Sequence, residues 1–268
     1  MSSKIALVTG ASSGIGAATA KRLAEAGFKV YGTSRRGAQS ARQGVEMLSL
    51  DVTSDASVQA AVAEVIGREG RIDLLVNNAG IGVAPAGAEE SSIGQAQAIF
   101  DTNFFGLVRM TRAVLPHMRA QRAGRIVNIG SVLGFLPMPY AALYAATKHA
   151  VEGYTESLDH ELRNWGIRAV VIEPAYTSTP FDANMLAADA KLDAYGEVRA
   201  AVTRRVQEVM ATADGPEVVA ATVLKAALAR APKLRYTSGT LAGRLRLLRT
   251  FAPAGVMDAG MRKDLRLA

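Results

Sequence analysis

The chain has no cysteine in 268 residues, which removes disulfides and thiolate metal sites and gives no sign of a secreted, cross-linked framework. Histidine is nearly as scarce: His117, His149 and His160 fall at no metal-ligand spacing, so no metal centre is expected. No apolar run approaches the roughly 20 residues that a bilayer-spanning helix needs. The N-terminal apolar run is short and passes straight into a glycine-rich turn, unlike a signal peptide, so a cytoplasmic location is expected. Internal repeats, low-complexity segments and a convincing linker are also missing. With 49% hydrophobic and 21% charged residues, the chain can bury a substantial core as a single domain over 1–268.

What is present alternates. Apolar runs at Ala6 to Val8, Val30 to Thr33, Val45 to Leu50, Leu74 to Val76, Ile126 to Ile129 and Ala169 to Ile172 have the length of buried parallel strands. Ala17 to Ala26, Ala56 to Glu69, Gln97 to Arg119 and Tyr144 to Trp165 read as helices between them. Such alternation predicts an α/β fold, a doubly wound parallel sheet of Rossmann type, with its ligand crevice at the carboxyl ends of the strands. Thr9, Asn77 and Ser131 fall at or just after such ends.

Two local patterns carry chemistry. Thr9-Gly10-Ala11-Ser12-Ser13-Gly14-Ile15-Gly16 follows the first strand and opens the first helix. Free backbone N–H groups and the helix dipole converge there on a site for an anion such as a pyrophosphate. Its Gly-x-x-x-Gly-x-Gly spacing departs from the G-x-G-x-x-G dinucleotide fingerprint. The second pattern is Ser131 with Tyr144 and Lys148, the last two one helical turn apart. An unperturbed tyrosine titrates at about 10, and a neighbouring ammonium favours its phenolate. A phenol tuned in this way exchanges a proton with an alcohol or ketone oxygen, and a serine hydroxyl can bind the same oxygen.

Both patterns, in this order and with the segments between them, resemble the short-chain dehydrogenase/reductase family from Lys4 to about Pro174, and more loosely to the end. The resemblance implies catalytic roles for Asn103, Ser131, Tyr144 and Lys148, with the Asn103 backbone holding a water that links the lysine to solvent. It further implies nicotinamide-cofactor contacts at Gly10, Ser12, Ser13, Gly14, Ile15, Gly16, Asn77, Ala79, Gly80, Tyr144, Lys148, Pro174, Thr177 and Thr179, with Asp51 and Val52 at the adenine. Asn78 reads as structural. Ala175 stands where the family usually has glycine, which bears on Thr177 and Thr179. A homodimer or homotetramer is the family's usual assembly.

Cofactor choice is argued from charge. The second strand ends in Ser34-Arg35-Arg36, and no Asp or Glu lies between Gly27 and Val45. An acid there would bind the ribose 2′-hydroxyl of NAD, whereas arginine pairs with the 2′-phosphate of NADP(H). Arg35 is therefore the expected phosphate ligand.

Substrate information is expected after residue 174. Phe181, Met185, Leu186, Leu192 and Tyr195, in a stretch from Pro180 to Asp214 without a strand signal, form a candidate apolar lid, so that 4–174 reads as cofactor-binding core and 175–268 as lid and C-terminal extension. From Pro232 onward eight basic residues face two acidic ones, giving +6 of the total +7. Arg244, Arg246 and Arg249 are interleaved with Leu241, Leu245, Leu247, Leu248 and Phe251. The preferred reading has the apolar side closing a pocket or subunit contact with the arginines in water; an anionic membrane surface is the second reading. Nucleic acid is not expected, since no reading motif is present. The extension and lid look most like the steroid and retinol dehydrogenase branch, which implies an NADP(H)-dependent oxidoreductase for a small hydrophobic ketone, aldehyde or alcohol. The alternatives are a reductase of carrier-bound acyl thioesters, with Arg122 or Arg125 at the pocket mouth, and a non-catalytic NADPH-binding regulator.

Overall fold

The computed structural model describes residues 3–37, 44–181 and 185–267. Seven strands form one all-parallel sheet: β1 (Ile5–Val8), β2 (Lys29–Ser34), β3 (Val45–Ser49), β4 (Leu74–Asn77), β5 (Gly124–Ile129), β6 (Ile167–Pro174) and β7 (Arg235–Ser238). Their order is β3-β2-β1-β4-β5-β6-β7. Because β1 is flanked by β2 and β4, the strand order reverses there, and a crevice opens beyond the carboxyl ends of β1 and β4.

Period-two alternation decides which side chains meet which helices. Leu7, Leu75, Ile126 and Ala169 face one layer, where α2 (Asp55–Glu69), α4 (Gly106–Gln121) and α5 (Ala142–Leu162) contribute Val58, Val62, Met110, Val114, Leu158 and Leu162. Ala6, Val8, Val76, Val127 and Val170 face the other, against Ala20 and Leu23 of α1 (Gly14–Glu25) and Val219 and Val223 of α7 (Pro216–Leu228). Burial on both faces explains why the strands read as continuous apolar runs.

The structure departs from the sequence expectation in two places. The helix expected over Gln97 to Arg119 is two helices, α3 (Ile93–Phe100) and α4, joined by a π-helical turn, Asp101–Phe105. The seventh strand, β7, was not expected: Arg235-Tyr236-Thr237-Ser238 has no apolar run and buries only alternate residues.

Beyond β6 the chain forms α6 (Gly196–Met210), α7, β7, α8 (Thr240–Phe251) and α9 (Ala254–Asp264). The inner side of α8 packs through Ala242 and Leu245 on Val132, Phe135 and Leu136, joined by Met257 of α9. Arg246 also turns inward, its guanidinium 4.7 Å from the Phe135 ring centroid and 3.2 Å from Glu173 Oε1. Leu247, Leu248 and Phe251 are exposed. One arginine departs from the expectation of arginines in water: small Ala242 lets α8 approach closely, and the buried Glu173 draws Arg246 in. No helix among the described residues is long and apolar enough to cross a membrane.

Candidate active site

The glycine-rich turn is built around Thr9. Its hydroxyl oxygen accepts from the N–H groups of Asn78 at 2.9 Å and Ala79 at 3.0 Å, tying the end of β1 to the end of β4. Asn78 returns the tie, its amide donating to Thr9 O at 2.9 Å and Gly10 O at 3.2 Å. A Cβ on Gly16 would collide with Gly10 O and the Asn78 amide, so only glycine lets α1 start this close to the turn. Ser13 is the N-cap of α1, yet its side chain makes no capping bond, and the first turn of the helix holds no acid. The N-terminal N–H groups and the positive end of α1 are thus left to an external anion. Thr179 lies against this turn, with its Cβ 3.2 Å from where a Cβ on Gly14 would stand.

At the end of β2, Arg35 and Arg36 are exposed. Asp51 lies within electrostatic reach of Arg35, and bonds from Thr53 N and Oγ1, aided by the Arg35 charge, hold its carboxyl below the ordinary range. Val52 is buried against Gly106 at the start of α4. These surroundings fit a nucleotide: an anion cradle at the turn, cations at the rim and an apolar shelf between.

Ser131 follows β5, in extended backbone, and its Oγ accepts from Leu133 N at 3.1 Å. Tyr144 and Lys148 lie on α5, whose axis carries them past the end of β5. The Lys148 Nζ is 5.5 Å from the Tyr144 ring centroid and donates to Ile129 O at 2.9 Å. Lys148 is buried, and burial lowers its pKa to about 8 although the Glu152 charge opposes the shift. Asn103 occupies the centre of the π-helical turn, where its side chain both accepts from Ile81 N and donates to Ile81 O, each at 2.8 Å. A cavity of about 10 Å³ borders Asn103, Ile129, Lys148 and Thr9, roughly the space of one buried water.

The fold thus brings Asn103, Ser131, Tyr144 and Lys148 to one crevice with the glycine-rich turn, Ala79 and Gly80. Asn77 is anchored by a buried ladder: its amide N–H groups donate to Asn128 at 2.9 Å and Thr111 at 3.3 Å, and Asn128 donates on to Thr155 at 2.8 Å. Its side-chain oxygen has no partner among the described residues, and Asn77 borders the cavity beside Lys148. Pro174 ends β6, and Thr177 donates to Ala175 O at 3.1 Å while its backbone bridges to Asp214.

Over the crevice, Phe181 lies 6.1 Å from the Tyr144 ring, and Phe181 and Met185 crowd Gly82. Residues 182–184 of the expected lid lie outside the described residues. Leu186 exchanges backbone bonds with Gly82 and Ala84, each at 2.9 Å. Tyr195 stacks edge-on with Tyr140, and Leu186 and Leu192 are exposed. Glu90, fully buried, latches this segment by accepting from Leu192 N at 2.9 Å, Gly87 N at 2.6 Å and the Arg199 guanidinium.

Arg122 and Arg125 do not stand at the crevice mouth. Arg125 starts β5 at the opposite end of the sheet, donating to Ala226 O and to Ala229 O at 2.9 Å, and Arg122 stacks on Trp165. Both serve as caps and covers there.

Sequence reasoning missed an acidic cluster beneath the Ser131 turn. Glu173 on β6 is 0% exposed, and neither of its carboxylate oxygens has a hydrogen-bond donor. Glu152, one turn beyond Lys148, accepts from Arg235 at 3.0 Å, and Arg246 supplies the second cation. Burial and the neighbouring Glu152 charge push the Glu173 carboxyl up to about 7, against the pull of the two arginines. The signal was present: Glu173 directly follows the apolar run Ala169 to Ile172, and Glu152 shares a helix face with Lys148.

A sequence model described as short chain dehydrogenase matches residues 4–190. The 3-ketodihydrosphingosine reductase of Bacteroides thetaiotaomicron is 44% identical over 184 residues, 69% of this chain and 68% of that protein. A short-chain dehydrogenase from Streptomyces avermitilis superposes with a TM-score of 0.82 at 32% identity, covering 98% of this chain and 95% of that one. A short chain dehydrogenase/reductase from Burkholderia phymatum in complex with NAD gives 0.79 at 29% identity over 92% and 93%. The chain therefore belongs to the short-chain dehydrogenase family, oxidoreductases that work with a nicotinamide cofactor.

Proposed function

We propose that the protein reduces the carbonyl of a hydrophobic ketone or aldehyde, or oxidises the corresponding alcohol, with NADP(H). The observation that carries this reading is the meeting of a buried Lys148 ammonium with the Tyr144 ring at 5.5 Å, beneath an apolar cover supplied by Phe181. When bound, the cofactor supplies or accepts the hydride at the carbonyl carbon. Ser131 Oγ donates a hydrogen bond to the carbonyl oxygen and fixes it against the Tyr144 phenol. Tyr144 gives its proton to that oxygen as charge develops. The Lys148 cation favours the phenolate left behind, and the cavity beside Asn103 accommodates a water through which the proton is replaced.

Arg35 holds the 2′-phosphate, a role supported by its exposure at the end of β2 and by the lack of acid between Gly27 and Val45. Phe181, Met185 and Tyr195 wall the substrate on the side away from the cofactor turn. Reduction of carrier-bound acyl thioesters loses its support in this chain, because Arg122 and Arg125 lie at the far end of the sheet. The test is cofactor consumption with NADPH and NADH against bulky ketones, aldehydes and short acyl thioesters. Turnover of bulky carbonyls with NADPH supports the reading, and preference for NADH or for thioesters refutes it.

A further inference from the structure

The two C-terminal helices expose apolar side chains that none of the described residues covers. The inner side of α8 is already committed through Ala242 and Leu245 on the turn after Ser131, with Arg246 fixed by Glu173 and Phe135. On the other side Leu241, Leu247, Leu248 and Phe251 follow one another at helical spacing around Arg244, Leu247 at 62% and Phe251 at 79% exposure. Val256 of α9 continues the patch at 59%. Neither helix is loosely attached: Arg205 reaches Asp264 at 2.6 Å, and Arg266 pairs with Glu208 at 2.9 Å.

Charge identifies the occupant. Of the six basic residues after Gly239, Arg246 and Arg266 are paired within the chain, and of the two acids Asp264 is taken by Arg205. Arg244, Arg249, Arg262 and Lys263 make no ion pair among the described residues, against the single acid Asp258. A second copy meeting this face around a twofold axis would bring the same cations against themselves. A lipid surface bearing anionic headgroups accepts both components, taking up the cations and covering the leucines and phenylalanine. We propose that the outer face of α8 and α9 rests on an anionic bilayer, with the helices lying in the interface. This inference stands apart from the catalytic reading, since no residue of the crevice takes part in it.

The experiment is co-sedimentation of the full chain with vesicles of phosphatidylcholine, with and without phosphatidylserine, alongside analytical ultracentrifugation without lipid. Retention by the phosphatidylserine vesicles alone is expected, weakening at least about tenfold when salt rises from about 0.1 M to about 0.5 M. A Leu247→Ser/Phe251→Ser double variant, and separately Arg244→Glu/Lys263→Glu, should lose retention while keeping the wild-type Tm. No retention of the wild type, or equal retention of the variants, would overturn the proposal. So would a fall in molecular mass in the Leu247→Ser/Phe251→Ser variant, which would assign the face to a second copy.

Discussion

Replacing Glu173 by glutamine should stabilise the protein at neutral pH and do nothing for it in acid. Asp159, equally buried, accepts from Arg163 at 2.7 Å, Arg168 at 2.7 Å and Ala169 N at 3.0 Å, and these bonds overcome burial to keep its carboxyl below the ordinary range. Glu173 has arginines nearby but no donor on either oxygen, and its carboxyl is raised from 4.5 to about 7. A carboxyl raised on folding contributes its full stability below the unfolded pKa and loses it as pH rises, because the unfolded chain releases a proton that the folded chain keeps. The shift from 4.5 to about 7 corresponds to a loss of about 3 kcal/mol across that window. A glutamine of the same shape has no proton to lose. Urea unfolding of wild type and Glu173→Gln should therefore give a stability difference that grows in favour of the variant by about 3 kcal/mol between pH 4.5 and 7 and is flat above. A difference that stays flat, or that turns against the variant with rising pH, would mean that folding does not raise the Glu173 carboxyl, and would refute the argument.

Further outcomes follow from the crevice. Lys148, titrating at about 8, should make kcat/KM for carbonyl reduction fall as pH rises through that value, and a profile flat to pH 10 would count against the role given to its charge. Arg35→Ala should weaken NADPH about 10- to 100-fold in a fluorescence titration while leaving NADH nearly unchanged, since a charge-assisted bond contributes about 1.5–3 kcal/mol. Glu90→Gln removes the anion on which Arg199 and Leu192 N converge. It should raise KM for bulky carbonyls several-fold and leave cofactor affinity unchanged, as measured by steady-state kinetics beside the same titration.

Much of this was legible from the residues. A parallel strand buried on both faces must be a short apolar run, so Ala6 to Val8, Leu74 to Val76 and Ile126 to Ile129 declared themselves, and the glycines after Thr9 marked the turn. Other features were hidden for physical reasons. The π-helical turn at Asp101–Phe105 adds one residue to a helical ring without disturbing local composition, so nothing between Gln97 and Arg119 announces it; the bonds of Asn103 to Ile81 become visible only in three dimensions. β7 takes its place by pairing with β6 rather than by hydrophobicity. In α8, apolar and basic residues share the same stripe, so periodicity alone cannot say which side faces inward; Ala242 and the buried Glu173 decide it. Arg122 and Arg125 were assigned by charge alone, without the strand direction that carries them to the wrong end of the sheet.

The most direct test is the Tyr144→Phe variant, measured for NADPH turnover on a bulky ketone and for NADPH binding in the same preparation. The proton-donor role assigned to the Tyr144 phenol predicts turnover lost by at least about a hundredfold with cofactor affinity within about twofold of wild type. Turnover retained in the variant would contradict that role, whatever the cofactor binding shows.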